Sequence, residues 1–282
     1  MIKTVKTKVF GKINIGLNVL GRCGDHHDLD TVVANIDLCD VVTVRTRNDR
    51  KVNLISQGGF SAYEIAETDN NAYKAALAFM EKFDTFGADI KLTKNIPVGS
   101  GLGGSSADIV GVVKGMMKAY NISEGVLPLV NSLCSDGEFL CGGGFARLIG
   151  KGSVAERFSA QRPYYIVIAV PESVSNTSEV FAEFDRGEYP STGADTAGII
   201  RAIKEGGELK GEIFNALKAP ACSLNKEISA VYEALLSLNP SFISMSGSGS
   251  AVYGGYESLE LCLWAKDKMK RYCENVFVKQ TL

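Results

Sequence analysis

A chain of 282 residues, 45% hydrophobic and 22% charged, has the composition of a globular protein with room for one large or two medium domains. Its formal net charge of −2 offers no general attraction to nucleic acid or to an anionic membrane, so a phosphate ligand has to be held locally. The seven cysteines are scattered, odd in number and without a C-x-x-C, which argues against a disulfide framework or a zinc site.

No apolar run approaches the ~18 residues of a membrane span, and no signal-peptide core opens the sequence. We therefore expect a cytoplasmic protein with reduced thiols, a monomer or homodimer. Lys3 to Phe10 alternate polar and apolar residues, and Ile13 to Val19 do so again after Gly11 and Lys12, which predicts two strands. Lys12 and Asn14 flank Ile13; judged alone, such a lysine belongs on the solvent face of a strand. Gly21 to Leu29 is a loop by composition and holds the only two histidines, His26 and His27. Adjacent residues of an extended chain point to opposite sides, so this pair makes no metal site without further ligands.

Asp40 to Thr46 and Lys51 to Ser56 read as two strands joined in a hairpin through Asn48 and Asp49. Asn70 to Phe83 reads as a helix, with Ala72, Ala75, Ala76, Phe79 and Phe83 at helical spacing and Asn70 or Asp69 as its cap. Asp89 to Thr93 alternates like a strand, and Ile109 to Tyr120 is apolar enough for a buried helix. Between them lies Lys94 to Asp108, dense in glycine and serine. Strand, glycine loop and helix together make an anion site, because glycines admit a close ligand and free N–H groups open the helix. A linker of that composition is seldom set so tightly between a strand and a buried helix. Gly99 to Gly104 satisfies G-x-G-x-x-G, but no parallel strand–helix–strand unit with a following acid accompanies it. The P-loop lysine is replaced by Ser105. This is a phosphate loop of another kind.

A short helix is expected at Ile122 to Leu133. Ser135 to Gly144 then places Asp136 beside glycines, suited either to a turn or to a cleft. Strands follow at Phe145 to Ile149 and Tyr164 to Val170, and helices at about Thr177 to Phe184, Thr196 to Glu205 and Leu224 to Leu238. Phe242 to Tyr253 reads as strand, small-residue turn and strand. Its Gly247-Ser248-Gly249 centre permits close backbone approach. An amphipathic helix from Glu257 to Tyr272, with Trp264 as a core or helix-packing residue, and a strand from Val276 to Lys279 close the chain.

Three spaced pieces resemble the three motifs of the GHMP small-molecule kinases: Gly11 to Asn14, Pro97 to Ala107 and Met245 to Ser250. Their order and intervals span essentially the whole chain. The pieces His27 to Val32, Asn70 to Ala76, Ser135 and Asp136 with Phe139, Ser178 to Phe181 and Asn215 to Leu217 are similar to the branch that phosphorylates a cytidylylated methylerythritol.

The resemblance implies an α+β, two-domain fold. Its N-terminal half, 1–150, would be of the ribosomal S5 type and its C-terminal half, 151–282, ferredoxin-like, with ATP and a small-molecule acceptor between them. It implies Lys12 and Asp136 as the catalytic pair. Asn70 and Lys94 would lie near the nucleotide base, and Pro97, Gly99, Ser100, Gly101, Leu102, Gly103, Gly104, Ser105 and Ser106 would wrap the phosphates. Ser106 would be the hydroxyl nearest a Mg2+ ion. Asn14, His27 and Thr177 would hold the acceptor, Phe181 would stack on its base, and His26 would stand where the family has a tyrosine plate.

Three departures accompany these matches. The family's Gly-Tyr-His reads Asp25-His26-His27, the proline after the catalytic acid is missing, and an Asn-Asp-Leu-Glu run reads Asn215 to Lys218. Kinases of mevalonate, homoserine or sugars, and a nucleotide-binding regulator, are the alternative readings.

Overall fold

The computed structural model describes residues 2–60 and 67–282. Two compact units are interleaved along the chain. The first comprises Met1–Gly11, Leu38–Val98 and Gly103–Gly142, the second Lys12–Asp37, Gly99–Leu102 and Gly143–Leu282. The long strands β1 (Thr4–Cys23) and β2 (His26–Thr46) contribute residues to both.

In the first unit, Val41 to Thr46 of β2 pair antiparallel with β4 (Ala88–Thr93), and β4 pairs parallel with β3 (Val52–Gln57). Parallel neighbours need a crossover, and here it carries helix α1 (Asn71–Phe83). The hairpin expected through Asn48 and Asp49 does not form, because β4 occupies the edge of β2 that β3 would have taken. Arg47 ties that corner by pairing with Asp49 and Asp89, each at 2.6 Å. Helix α2 (Gly104–Tyr120) follows β4. Cβ atoms added at Gly111 and Gly115 would lie 2.4 and 2.6 Å from Val42 and Val44 side chains, so the helix backbone rests directly on β2. Helices α3 (Val126–Leu133) and α4 (Gly137–Gly142) complete the unit.

In the second unit, Leu29 to Ala34 of β2 pair antiparallel with β5 (Phe145–Gly150), which pairs with β6 (Ser153–Phe158). A separate sheet has the order β11 (Asn275–Gln280), β7 (Tyr165–Val170), β10 (Val252–Tyr256), β9 (Phe242–Met245), β8 (Gly211–Glu212). Only the β8–β9 pair in it is parallel. Helices α5 (Thr177–Arg186), α6 (Thr196–Glu205), α7 (Lys218–Leu224), α8 (Lys226–Leu236) and α9 (Leu259–Met269) belong to this unit. Side chains from β7, β9 and β10 form one core with Val180, Leu217, Val231, Leu235, Ala265 and Met269.

Several local expectations differ from the structure. The two N-terminal strands are one, β1, running through Gly11 and Lys12. The expected loop at Gly21 to Leu29 is a tight hairpin turning at Gly24 and Asp25, because β1 and β2 keep pairing nearly to their tip. The helix expected at Leu224 to Leu238 is α8; it opens only at Lys226, because Asn225 leaves helical geometry and accepts from Glu227 N to cap it. The residues of α4, α7 and β6 carried no clear periodicity. Trp264 is not core: it is 46% exposed on α9, whose buried side is Cys262, Ala265 and Met269. No helix among the described residues is long and apolar enough to cross a membrane.

Candidate active site

In the second unit the glycine segment Gly99 to Leu102 is held by the turn between β9 and β10. Ser246 Oγ donates to Gly101 O at 2.9 Å, Ala251 N to Ser100 O at 3.0 Å, and Ser175 N to Gly99 O at 3.2 Å. Asn215 braces that turn from behind, its Nδ2 donating to Met245 O at 2.8 Å and Gly247 O at 2.9 Å. Leu102 is fully buried, and its carbonyl accepts from Lys12 N at 2.9 Å. What the segment presents is therefore shaped backbone.

Lys12 is 6% exposed, against the solvent-facing position that strand alternation suggests for a lone lysine. Its Nζ donates to Asn14 Oδ1 at 2.6 Å, and Asn14 Nδ2 donates to Thr31 Oγ1 at 3.0 Å, which in turn donates to Gly16 O at 2.7 Å. Tyr253 Oη donates to Asn14 O at 2.6 Å. Asn14 thus positions the lysine. A Cβ added at Gly247 would come 3.4 Å from both Gly101 O and Lys12 Nζ, so glycine loop, turn and ammonium converge within this unit.

Also in this unit, the His27 ring stacks on Phe181, with centroids 4.5 Å apart and planes 20° from parallel. Asp185 holds it, Oδ1 lying 2.7 Å from His27 Nε2, while Asp185 Oδ2 pairs with Arg22 at 3.3 Å. Alternation along β2 puts His26 on the other side, exposed, so the ring beside Phe181 is that of His27. Thr177 opens α5, with Oγ1 2.9 Å from Ser248 Oγ.

In the first unit, Gly103 precedes α2 in left-handed geometry, φ 77°, and the helix starts with no side-chain cap. The N–H groups of Gly104, Ser105 and Ser106 are those an anion would meet. Asn70 does not reach this turn: it caps α1, Oδ1 accepting from Ala72 N at 2.9 Å. Its neighbour Asn71, which sequence reasoning missed, donates to Ser105 Oγ at 2.7 Å. Two consecutive asparagines at a helix start carry no signal for which one caps. Asp136 stands just ahead of α4, half-buried, its carbonyl accepting from Leu140 N at 2.9 Å. Cys134, whose thiol burial pushes up to about 11, has both the Ser106 hydroxyl and the Asp136 charge as neighbours, so these two expected site residues share one corner.

The Lys94 side chain is buried in two ion pairs. Its Nζ pairs with Asp40 and lies 2.6 Å from Asp108 Oδ2. Burial favours the neutral lysine, but the two carboxylates outweigh it and raise its pKa. Burial, with the Asp40 charge added and Lys94 opposing, pushes the Asp108 carboxyl up to about 7. An unfolded carboxyl titrates near ~3.9, so between there and about 7 the folded chain holds a proton that the unfolded chain releases. Through this group, stability falls as pH rises across that window and levels off above it, by at most about 1.4 kcal/mol per pH unit. Urea unfolding between pH 5 and 8 is expected to show this slope in the wild type and a flatter one in Asp108→Asn. Equal slopes would remove Asp108 as its source.

A glycine loop ahead of an uncapped helix, a buried lysine and a half-buried carboxylate are parts that define a class, the phosphoryl-transfer enzymes that hold a nucleotide on backbone N–H groups. The profile of the GHMP kinases N terminal domain matches residues 70–139. The 4-diphosphocytidyl-2-C-methyl-D-erythritol kinase of Alkaliphilus metalliredigens is 30% identical, over 91% of this chain and 89% of its own. That of Clostridium botulinum is 31% identical, over 98% and 99%. A solved 4-(cytidine 5'-diphospho)-2C-methyl-D-erythritol kinase matches with a TM-score of 0.83 at 26% identity, covering 98% of this chain and 99% of that one. The chain belongs to the GHMP kinases, ATP-dependent phosphotransferases that act on an alcohol group.

Proposed function

We propose that the alcohol is the 2-hydroxyl of 4-diphosphocytidyl-2-C-methyl-D-erythritol, which places the enzyme in non-mevalonate isoprenoid precursor synthesis. The observation that carries this reading is the stack of His27 on Phe181, an aromatic surface of the kind that takes a nucleobase. The relatives at 30% and 31% identity, both kinases of that compound, agree with it.

In this reading Asp136 accepts the proton of the acceptor hydroxyl, or orients that hydroxyl, as it attacks the γ-phosphorus of ATP, and ADP leaves. Lys12, held by Asn14, offsets negative charge on the moving phosphoryl group. The backbone of Pro97 to Ser106 holds the triphosphate, and glycine at 101 lets that backbone sit directly on the turn that braces it, since a Cβ there would strike Ser246 O. A Mg2+ ion carried in on the nucleotide phosphates would take the hydroxyl of Ser106, which lies in the first turn of α2. Bound there, it would neutralise phosphate charge. Asn14, His26, His27, Thr177 and Phe181 are the proposed acceptor residues, and Asn70 and Lys94 lie by the nucleotide. The proposed functional domains are 1–150 and 151–282, in a cytoplasmic monomer or homodimer.

The test is ADP release with magnesium-ATP and a panel of acceptors: the cytidylylated methylerythritol, mevalonate, homoserine and galactose. Turnover is expected with the first. Turnover with another acceptor alone would overturn the substrate, and turnover with none would favour a nucleotide-binding regulator.

A further inference from the structure

Lys94, proposed above to lie by the nucleotide, forms a buried cluster with Asp40 and Asp108, to which no role has been given. Asp40, Lys94 and Asp108 come from β2, from the segment after β4 and from α2, and their side chains are 0%, 7% and 10% exposed. Asp40 Oδ1 accepts from Asn95 N at 2.6 Å and Ile96 N at 2.9 Å, which fixes the chain on its way into Pro97. Asp108 stands in the second turn of α2, and its Oδ1 is buried without a hydrogen-bond partner. A Cβ added at Gly104, the first residue of that helix, would lie 3.7 Å from Lys94 Nζ. The ammonium is therefore directly under the place where the helix opens.

Burying three charges is a poor way merely to fasten a helix to a sheet, since apolar side chains of similar volume commonly do as well or better. The value of this cluster lies in where it puts its cation. We propose that Asp40 and Asp108 are positioning residues that hold Lys94 beneath Gly104, where its ammonium offsets the charge of nucleotide phosphates bound on the first turn of α2. The inference rests on the proposed phosphate seat, and it assigns Lys94 to the phosphates rather than to the base. The two carboxylates outnumber the ammonium, so charge changes within the cluster have predictable signs. Removing the ammonium leaves bare carboxylates below the phosphates, and removing the Asp108 charge relieves them.

Binding of the magnesium complex of a non-hydrolysable ATP analogue, measured by calorimetry at pH 8, tests this without an acceptor. Lys94→Met is expected to weaken binding at least about tenfold, and adding Asp108→Asn to it to recover most of the loss. Asp108→Asn alone keeps the shape and an acceptor for Lys94, and is expected to tighten binding roughly twofold to fivefold. That isosteric variant carries the test if Lys94→Met does not fold. A purely structural cluster would lower melting temperatures and leave affinity unchanged in every variant, which overturns the proposal. Gly101→Ala separates the two failures. If it weakens nucleotide binding while the cluster variants do not, only the role of the cluster falls; if it too has no effect, the phosphate seat falls with it.

Discussion

Asp136→Ala is expected to lower kcat by a factor on the order of 10² to 10⁴ while the affinity for magnesium-ATP stays within about twofold. In phosphoryl transfer the protein contributes position and charge, and the group proposed to deal with the acceptor proton is this carboxylate. Its loss should therefore be felt in the chemical step and not in nucleotide binding. The substitution leaves the main chain at the start of α4 intact. Asp136 is half-buried, and its carbonyl, which accepts from Leu140 N at the start of α4, survives in alanine. Lys12→Met is a less clean probe of the same step. It removes a 6% exposed cation and strips Asn14 Oδ1 of its donor, so folding and chemistry change together. Single-turnover ADP formation, with melting measured in parallel, makes the comparison. A kcat within tenfold of wild type in a folded Asp136→Ala enzyme would remove Asp136 as the base.

The contrast between Asp136 and Lys94 marks how far the residues alone could be read. Local signals were legible: a capped start of α1 at Asp69 or Asn70, the limits Thr196–Glu205 of α6, and the small-residue turn after Met245 that braces the glycine loop. Each depends on neighbours in sequence or on a residue type that a backbone shape requires. Partner choice between distant segments was not legible. Nothing in Lys51 to Ser56 says that its neighbour will be β4 and not β2, since both partners offer the same alternating faces. Lys94 finds Asp40 across 54 positions, and no local pattern announces a buried ion pair of that separation. His26 and His27 differ only in which side of β2 they occupy, a parity that the tight turn at Gly24 and Asp25 sets. Trp264 shows the converse error: a large apolar residue in an amphipathic helix invites a core assignment, yet one-residue phase differences decide which side is covered.

Gly101→Ala is expected to cost about 2–4 kcal/mol of stability and to lower kcat/KM for ATP by at least roughly 100-fold. Two independent penalties fall on one methyl group. At φ 75° a non-glycine residue is strained by about 1 kcal/mol or more. The added Cβ would also lie 2.1 Å from Ser246 O and 2.9 Å from Gly249 O, and backbone oxygens cannot step aside as a side-chain end can. Relief requires the loop or the turn to move. Movement breaks the Ser246 Oγ to Gly101 O bond and strains the Ala251 N to Ser100 O and Lys12 N to Leu102 O bonds on either side. The last of these carries the shift to the main chain of the proposed catalytic lysine. Gly104→Ala is the matched control. Its φ lies outside the left-handed region, and its Cβ would meet the buried Ile96 Cγ2 methyl at 3.1 Å, a tight contact but not a collision with backbone. Its effect on kcat/KM is expected to stay within about fivefold. Both variants keep Ser105 and Ser106, so the difference between them isolates the shape of the backbone from the hydroxyl groups. Similar kinetics for the two would mean that the phosphates do not rest on the segment that Ser246 holds.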